Sequence, residues 1–148
     1  MAIYFYSTRE TYGCFSNFSP HGFELDRYWW YTSEHYFQAQ KFATTDLDWF
    51  HKIRTVKAPK EAAKMGRNRQ HPLREDWEKI KDEVMYRAVF CKFKTHLDIQ
   101  QILLGTQEQL IVENSPIDYY WGCGKDGSGK NKLGEILMQV RTNIRNNT

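Results

Sequence analysis

A twenty-residue stretch in the second half of the chain has the periodicity of one long amphipathic helix. Between residues 76 and 95, apolar side chains recur at spacings of three and four, at Trp77, Ile80, Val84, Ala88 and Cys91. This spacing places all of them on one face of an α-helix, a face that becomes stable when it packs against other elements. The sequence therefore predicts a long helix over residues 76–95 with that face buried.

Three shorter helices are predicted before it, each from residues that typically begin a helix. The start signals are an N-cap at Thr32 and Ser33, a capping box from Thr45 to Asp48, and a proline in a first helical position at Pro59. The three helices are expected to end near Ala43, near Val56 and at Gly66.

The remaining elements complete an α+β, mainly helical fold. Short aromatic runs over residues 3–6, 22–25 and 28–31 predict two or three strands, and residues 110–112 predict another. Further helices are expected over residues 98–104 and at the end of the chain, where the apolar positions are Leu133, Leu137, Val140 and Ile144. Because no repeat or linker interrupts it, the chain 1–148 is predicted to form a single compact domain with a small β-sheet.

The cysteines and the N-terminus indicate a cytoplasmic protein without disulfides. Cys14, Cys91 and Cys123 are odd in number and form no CxxC pair, which argues against a disulfide framework and a zinc site. The first ten residues lack the apolar run of a signal peptide, and no stretch has the length of a transmembrane span. No membrane partner is expected.

A stripe of positive charge follows the first predicted helix. From His51 to Gln70 there are seven Lys or Arg residues against the single acid Glu61. Such a stripe attracts phosphate groups, although a solvated helical face has the same composition. Both interpretations remain open at this point.

Three polar residues of the first predicted helix share one face. Glu34, Gln38 and Lys41 stand at i, i+4 and i+7, so their side chains project in the same direction. This arrangement suits a catalytic carboxylate with a nearby cation. It is also typical of a first-turn acid that stabilises the helix dipole and a solvated lysine.

The glycine-rich loop over residues 121–131 matches two phosphate-binding patterns only in letters. Gly122, Gly124 and Gly127 give GxGxxG, but the loop lies too late in the chain for a dinucleotide-binding βαβ unit. The GxxxxGK match runs from Gly124 to Lys130. It is followed by Asn131, where a P-loop needs Ser or Thr to hold magnesium. Backbone N–H groups of such a loop can still receive an anion at a helix N-terminus, or the loop is simply a mobile surface segment.

Metal and nucleophile chemistry find little support in the sequence. The five histidines show no HExxH or other paired spacing, and neither GxSxG nor a reactive cysteine context occurs. We therefore expect no metal and no cofactor, and chemistry carried by carboxylate, lysine and aromatic side chains.

Several segments taken together resemble the NADAR family, in particular its YbiA-like N-glycosidases. In chain order they are Phe15-Ser16-Asn17-Phe18, the run from Thr32 to Phe42, Met65-Gly66-Arg67, Trp77, Lys92-Phe93, Leu110-Ile111-Val112-Glu113, Trp121-Gly122-x-Gly124 and Asn131-x-x-Gly134-x-x-Leu137-Met138-x-x-Arg141. The match extends over about residues 3 to 145, nearly the whole chain.

The resemblance implies hydrolysis of the N-glycosidic bond in early riboflavin-pathway intermediates, phosphoribosylamino-pyrimidines that release ribose 5-phosphate. The expected partner is then a small phosphorylated ribosyl-amine. Relatives in the family also remove ADP-ribose from guanine bases, so nucleic acid is the alternative partner. A non-catalytic module that binds ADP-ribose or a nucleotide is the third interpretation.

By the same resemblance, Glu34 is the principal catalytic carboxylate and Trp77 and Trp121 are active-site aromatic residues, with Lys41 as a further catalytic residue. A carboxylate can stabilise the positive charge that develops at the ribose C1 and can orient water. Substrate phosphate or ribose hydroxyls are expected to contact a set of residues with small or polar side chains, namely Asn17, Gly122, Gly124, Lys130 and Asn131.

Two further points concern the mechanism. A lysine could instead form a Schiff base with the opened sugar, and Lys41 or the substrate-binding candidate Lys92 could do so only if burial lowers its pKa. The position between Gly122 and Gly124 is often acidic in YbiA-like relatives, whereas here it is Cys123. A second carboxylate would then have to come from Asp118 or Asp126.

Overall fold

The computed structural model describes residues 1–147. The strands are β1 (Ala2–Phe5), β2 (Phe23–Leu25), β3 (Tyr28–Trp30) and β4 (Leu110–Glu113). The helices are α1 (Ser33–Gln40), α2 (Leu47–Thr55), α3 (Pro59–Gly66), α4 (Trp77–Thr95), α5 (Leu97–Gly105) and α6 (Lys132–Asn146). The prediction of a mainly helical α+β fold is confirmed, with two separate two-stranded sheets in place of one.

Internal contacts divide the chain into two compact units. The central unit is Pro20–Lys92, and the terminal unit combines Met1–Ser19 with the chain from Phe93 onward. That residues 1–148 form one domain stays a prediction. Within residues 1–147, no helix combines the length and apolar character needed to cross a membrane.

In the central unit, the hairpin of β2 and β3 leads directly into α1. The two strands are antiparallel, with Phe23 opposite Trp30, and they are joined by Asp26 and Arg27 at φ angles of 54° and 74°. Both turn residues therefore have left-handed backbone, which glycine or asparagine adopts more easily. Side-chain contacts offset this cost, since the Asp26 carboxylate accepts hydrogen bonds from the Tyr36 hydroxyl (2.6 Å) and from the Arg87 guanidinium (2.6 Å).

The caps of α1 and α2 show where local sequence signals compete. Thr32 caps α1 as predicted, because its hydroxyl accepts a hydrogen bond from the His35 backbone N–H. The predicted cap of α2 at Thr45 is wrong, since Asp46 accepts from the backbone N–H of Trp49 instead. The Thr45 hydroxyl donates to the Pro72 carbonyl (2.6 Å), so a contact distant in sequence occupies the group expected to cap.

The long helix α4 is confirmed, and its buried surface is broader than the predicted stripe. Ile80 and Cys91 are only half-buried. The buried positions of α4 are Trp77, Val84, Met85, Ala88, Val89, Lys92 and Phe93. Adjacent pairs such as Val84 with Met85 widen the face, as expected for a helix that packs against several elements.

In the terminal unit, β1 and β4 form a parallel pair in which Ile3 lies opposite Ile111. The helix α6 packs on β4 through its buried apolar positions, which include all four predicted ones, Leu133, Leu137, Val140 and Ile144. The close approach depends on Gly134, because a Cβ atom there would lie 2.2 Å from the Ile111 carbonyl oxygen.

Candidate active site

The polar face of α1 lies inside the central unit and not in solvent. Glu34, Gln38 and Lys41 keep only 9%, 6% and 7% of their surface exposed. The Gln38 Nε2 donates a 2.7 Å hydrogen bond to the Glu34 Oε2, the i, i+4 contact that the spacing allows. A buried carboxylate held in this way is oriented by the protein before any substrate arrives.

The Gln38 side chain is held between Glu34 and the end of α3. Its amide nitrogen must point toward Glu34, because a carboxylate accepts hydrogen bonds and an amide oxygen cannot donate. The Gln38 Oε1 is buried and has no hydrogen-bond partner within residues 1–147. It lies against the backbone of Gly66, where a Cβ atom would come within 1.9 Å of it. The orientation of the carboxylate thus depends on the missing side chain at position 66.

Lys41 lies in a largely aromatic environment. Its Nζ is 5.6 Å from the centre of the Phe37 ring and 5.9 Å from that of Trp77, within the range of cation–π attraction. The same Nζ lies 3.5 Å from the Gly66 carbonyl oxygen, a long hydrogen bond. Burial lowers the pKa of Lys41 to about 8, with the charge of Arg69 lowering it further and that of Glu34 opposing the shift. The lysine can therefore exchange its proton near neutral pH.

Trp77 and Phe37 form the aromatic part of this environment together. Trp77 is 5% exposed, and its ring centre lies 5.1 Å from that of Phe37. Three of the predicted catalytic residues, Glu34, Lys41 and Trp77, thus belong to the central unit. The contacts of Phe37 and Gly66 were not predicted from the sequence, although both residues lie in segments that carry the family resemblance.

His35 attaches the first turn of α1 to the end of α2. Its Nε2 lies 2.7 Å from the Val56 carbonyl oxygen, which can only accept, so this nitrogen carries the proton. The Nδ1 then accepts from the Thr32 hydroxyl at 2.8 Å. Burial lowers the pKa of His35. A neutral, fully buried imidazole therefore fixes the backbone next to Glu34.

The other predicted aromatic and substrate-binding residues, except Lys92, lie in the terminal unit. Backbone N–H groups of residues 129–133 each donate to a different carbonyl of residues 119–123. Among them, Lys132 donates to Tyr120 and Leu133 donates to Trp121, so these N–H groups at the start of α6 are occupied within the protein. An anion expected at this helix N-terminus would have to displace those carbonyls.

The glycines of this loop have structural reasons to be there. Gly124 has a φ of +72°, and a Cβ atom on it would lie 2.3 Å from the Tyr119 ring. Gly122 is buried, with the Glu113 and Asp118 carbonyl oxygens about 3 Å from the position of its missing Cβ atom. Both glycines allow the loop to fold closely on itself.

The side chains of Asn131 and Lys130 differ in how many contacts they make within the protein. The Asn131 amide accepts a hydrogen bond from the Glu113 N–H and donates one to the Ile111 carbonyl, each at 2.9 Å, so it ties the loop to β4. Lys130 is exposed, with its Nζ 5.6 Å from the centre of the Tyr120 ring. Lys130 therefore has more freedom than Asn131 to reach a ligand.

Trp121, Asn17 and Lys92 differ in burial. Trp121 is half-buried, whereas Asn17 and Lys92 are 9% and 1% exposed. The backbone N–H groups of Tyr120 and Trp121 both donate to Asp118 Oδ1. Roles for these three residues in binding or catalysis stay predictions.

The two candidates for a second carboxylate have different surroundings. Asp118 orders its own loop by accepting hydrogen bonds from two backbone N–H groups. Asp126 is exposed and accepts from the Ser128 hydroxyl. Within the described chain, 1–147, no group of three or more His, Cys, Asp or Glu residues is placed to hold a metal ion.

Comparison with known proteins gives a consistent result. Residues 4–145 match the sequence model of the NADAR domain. An N-glycosidase of Nostoc punctiforme is 50% identical over 99% of this chain and 94% of its own length. The N-glycosidase YbiA of Escherichia coli K12 is 46% identical over 96% of this chain and 88% of its own length.

A plant relative and a solved structure extend the comparison. The maize protein named riboflavin biosynthesis protein PYRR, chloroplastic, is 44% identical over 96% of this chain, which corresponds to 25% of the maize protein. The NMR structure of E. coli YbiA superimposes with a TM-score of 0.91 at 45% identity, and the match covers 99% of this chain and 86% of that one.

The buried His35 predicts that the folded protein loses stability in mild acid. Because burial lowers its pKa in the folded state, the unfolded chain takes up a proton first as the pH falls below about 6.5. The free energy of unfolding, measured by urea denaturation, should therefore decrease from pH 7.5 to pH 5.5. The substitution His35→Gln should reduce this pH dependence, whereas His96→Gln should retain it. An unchanged slope in His35→Gln would contradict the assignment.

Proposed function

This chain belongs to the NADAR family, and we propose that it is an N-glycosidase that hydrolyses phosphoribosylamino-pyrimidine intermediates of riboflavin biosynthesis. Two kinds of relative support this, the bacterial proteins named N-glycosidase and the maize protein named for riboflavin biosynthesis. The observation that carries the proposal is the buried Glu34, held by Gln38 in the same cluster as the low-pKa Lys41. The free cysteines Cys14, Cys91 and Cys123 suit a cytoplasmic location.

The reaction needs a negative charge beside the ribose C1. The bond from C1 to the amine nitrogen breaks, its electron pair stays on nitrogen, and the oxygen of a water molecule bonds to C1. One proton of that water ends on the released amine. Positive charge grows on C1 and the ring oxygen before water adds, and a carboxylate close to them lowers the barrier. Glu34 supplies this charge and orients or deprotonates the water.

Burial makes Glu34 more effective in this role. The effective dielectric constant is lower inside a protein than in water. The attraction between an ionised group and a developing cation is therefore stronger there. The Gln38 amide compensates part of the cost of burial by donating to one carboxylate oxygen. It also keeps that oxygen in place during the reaction.

Aromatic and loop residues complete the proposal. Trp77, which already packs on Phe37, stacks on the pyrimidine or shields the reacting carbon from bulk water, and a corresponding role for Trp121 stays a prediction. Contacts of Asn17, Gly122, Gly124, Lys130 and Asn131 with the substrate, and of Lys92, stay predictions. Lys41 contributes a positive charge that attracts an anionic substrate.

Substitution of Glu34 tests the central role of its carboxylate. Glu34→Gln keeps the shape and still accepts the hydrogen bond from Gln38, but it removes the negative charge. We expect kcat to fall by about a thousandfold while the melting temperature changes little. Release of free ribose 5-phosphate measures the rate. The matched control is Glu61→Gln, an exposed carboxylate on α3, which should keep wild-type turnover. Comparable turnover in both variants would show that Glu34 is not the catalytic carboxylate.

The pH dependence of kcat/KM distinguishes a hydrolytic mechanism, in which Lys41 acts as a positive charge, from a Schiff-base mechanism. Lys41 loses its positive charge as the pH rises through about 8, so attraction of an anionic substrate weakens and kcat/KM should fall by about tenfold above that pH. A Schiff-base lysine must be neutral to attack, so its rate would rise through the same range.

The variant Lys41→Arg makes this comparison sharper. Arginine stays charged above pH 8, so the variant should remain active and lose the alkaline fall in kcat/KM. An arginine forms no such imine. Loss of activity in Lys41→Arg, together with a borohydride-trapped adduct on Lys41 of the wild-type protein, would establish the Schiff-base route instead.

One observation favours a second substrate, ADP-ribosylated guanine in nucleic acid. Lys52, Lys57, Lys60 and Lys64 are exposed on α2, α3 and the turn between them, and none forms an ion pair within residues 1–147. If this surface binds a phosphodiester backbone through these four lysines, affinity for ADP-ribosylated DNA should fall about a hundredfold between 50 and 200 mM salt. A weak salt dependence, with faster turnover of the phosphoribosylaminopyrimidine in a parallel assay, supports the small-metabolite assignment.

A further inference from the structure

The turn after α3 carries two exposed arginines that have no acidic partner. The Arg67 guanidinium makes no hydrogen bond or ion pair with any other residue of the described chain, 1–147. Arg69 makes one hydrogen bond, from its Nη1 to the Gly66 carbonyl oxygen at 3.0 Å. Most N–H donors of both side chains are therefore available to a ligand.

A shared carbonyl oxygen connects these arginines to the catalytic cluster. The Gly66 oxygen that accepts from Arg69 also accepts from the Lys41 Nζ. Two cationic groups thus lie within two hydrogen-bond lengths of each other. The charges of Arg69 and Arg67 both lower the pKa of Lys41, after burial itself, so both lie close enough for their fields to reach its ammonium group.

Positive charge is in excess in this part of the central unit. Glu34 opposes the shift that Arg69 and Arg67 cause at Lys41. The third cation that lowers the pKa of Lys41, Lys81, is paired with Glu78 at 2.7 Å and so contributes less. Like charges gathered around one carboxylate repel each other, and an anion between them relieves that repulsion.

We propose that Arg67 and Arg69 bind the phosphate monoester of the substrate, with the Lys41 ammonium on the inner side of the same anion. The identity of that substrate rests on the proposed function. Guanidinium groups suit this ligand because their parallel N–H donors match two oxygens of a phosphate. Arg69 is partly fixed by its bond to Gly66, whereas Arg67 is free to close on the ligand.

This placement gives the phosphate a position relative to the reacting carbon. Gly66 lies against Gln38, which in turn holds Glu34, so the anion and the carboxylate contact opposite ends of one connected group of residues. The phosphate anchors the ribose at C5 while Glu34 acts at C1. Binding energy from the phosphate then stabilises the ground state and the transition state alike, so it lowers KM and leaves kcat nearly unchanged.

Titration calorimetry with ribose 5-phosphate tests the site without requiring turnover. Relative to wild type, Arg67→Gln should weaken binding by about tenfold, and Arg67→Gln with Arg69→Gln by about a hundredfold. The control pair, Lys79→Gln with Lys94→Gln, removes the same charge from exposed positions of α4 and should bind as wild type does. Equal weakening in both pairs would indicate only a long-range charge effect and would overturn the proposal.

A second measurement separates binding of the phosphate from a structural role. With the phosphorylated substrate, Arg67→Gln should raise KM and leave kcat nearly unchanged, and with its dephosphorylated riboside it should change neither. Because the Arg67 guanidinium makes no hydrogen bond or ion pair within residues 1–147, its removal costs the fold none of these interactions. Equal losses on both substrates, or unchanged affinity for ribose 5-phosphate, would refute the phosphate site.

The two proposals fail in different ways. If wild-type protein binds ribose 5-phosphate through the arginines but releases no pyrimidine from any substrate, the phosphate site stands and the N-glycosidase assignment fails. If hydrolysis is observed and the arginine variants bind ribose 5-phosphate normally, the assignment stands and the phosphate site fails.

Binding of ribose 5-phosphate should also take up protons near pH 8, since an added phosphate raises the pKa of the adjacent Lys41.

Discussion

The hydrogen bond between Gln38 and Glu34 is the contact on which the central unit's chemistry depends. It places an amide against a carboxylate in the interior of the protein, where a polar group without a hydrogen-bond partner costs free energy. The contact is possible because α1 and α3 pack closely at Gly66, a position with no room for a side chain. Within residues 1–147 the Gln38 oxygen has no hydrogen-bond partner, a cost that ordinary cores avoid.

Much of the fold could be predicted from local signals. The apolar periodicities of α4 and α6, the cap at Thr32 and the proline that begins α3 each depend on residues within a few positions of one another. Features that depend on distant partners were missed or misplaced. The Thr45 hydroxyl donates to the Pro72 carbonyl, and β1 pairs with β4, which lies more than a hundred residues later in the chain. No local pattern contains that information.

The candidate site shows the same division. Helical spacing predicts that Glu34, Gln38 and Lys41 share a face, but it does not say that the face is buried, because burial depends on what packs against it. The glycine-rich loop presents the opposite case. Its glycine pattern predicts backbone N–H groups that are available to an anion. In the folded chain these N–H groups donate hydrogen bonds to carbonyls of the neighbouring segment. The phosphate site proposed at Arg67 and Arg69 depends on the Gly66 carbonyl oxygen that Lys41 and Arg69 share, a contact that no local sequence pattern predicts.

The left-handed turn at Asp26 and Arg27 also limits how this sequence can drift over evolutionary time. A neutral exchange to asparagine and glycine would relax the backbone, yet it would remove the carboxylate that joins Tyr36 on α1 to Arg87 on α4. Mutational paths toward a less strained hairpin therefore pass through proteins with a loosened first helix, the helix that carries the acid. Selection for catalysis would in this way preserve an unfavourable loop that itself carries none of the candidate catalytic residues.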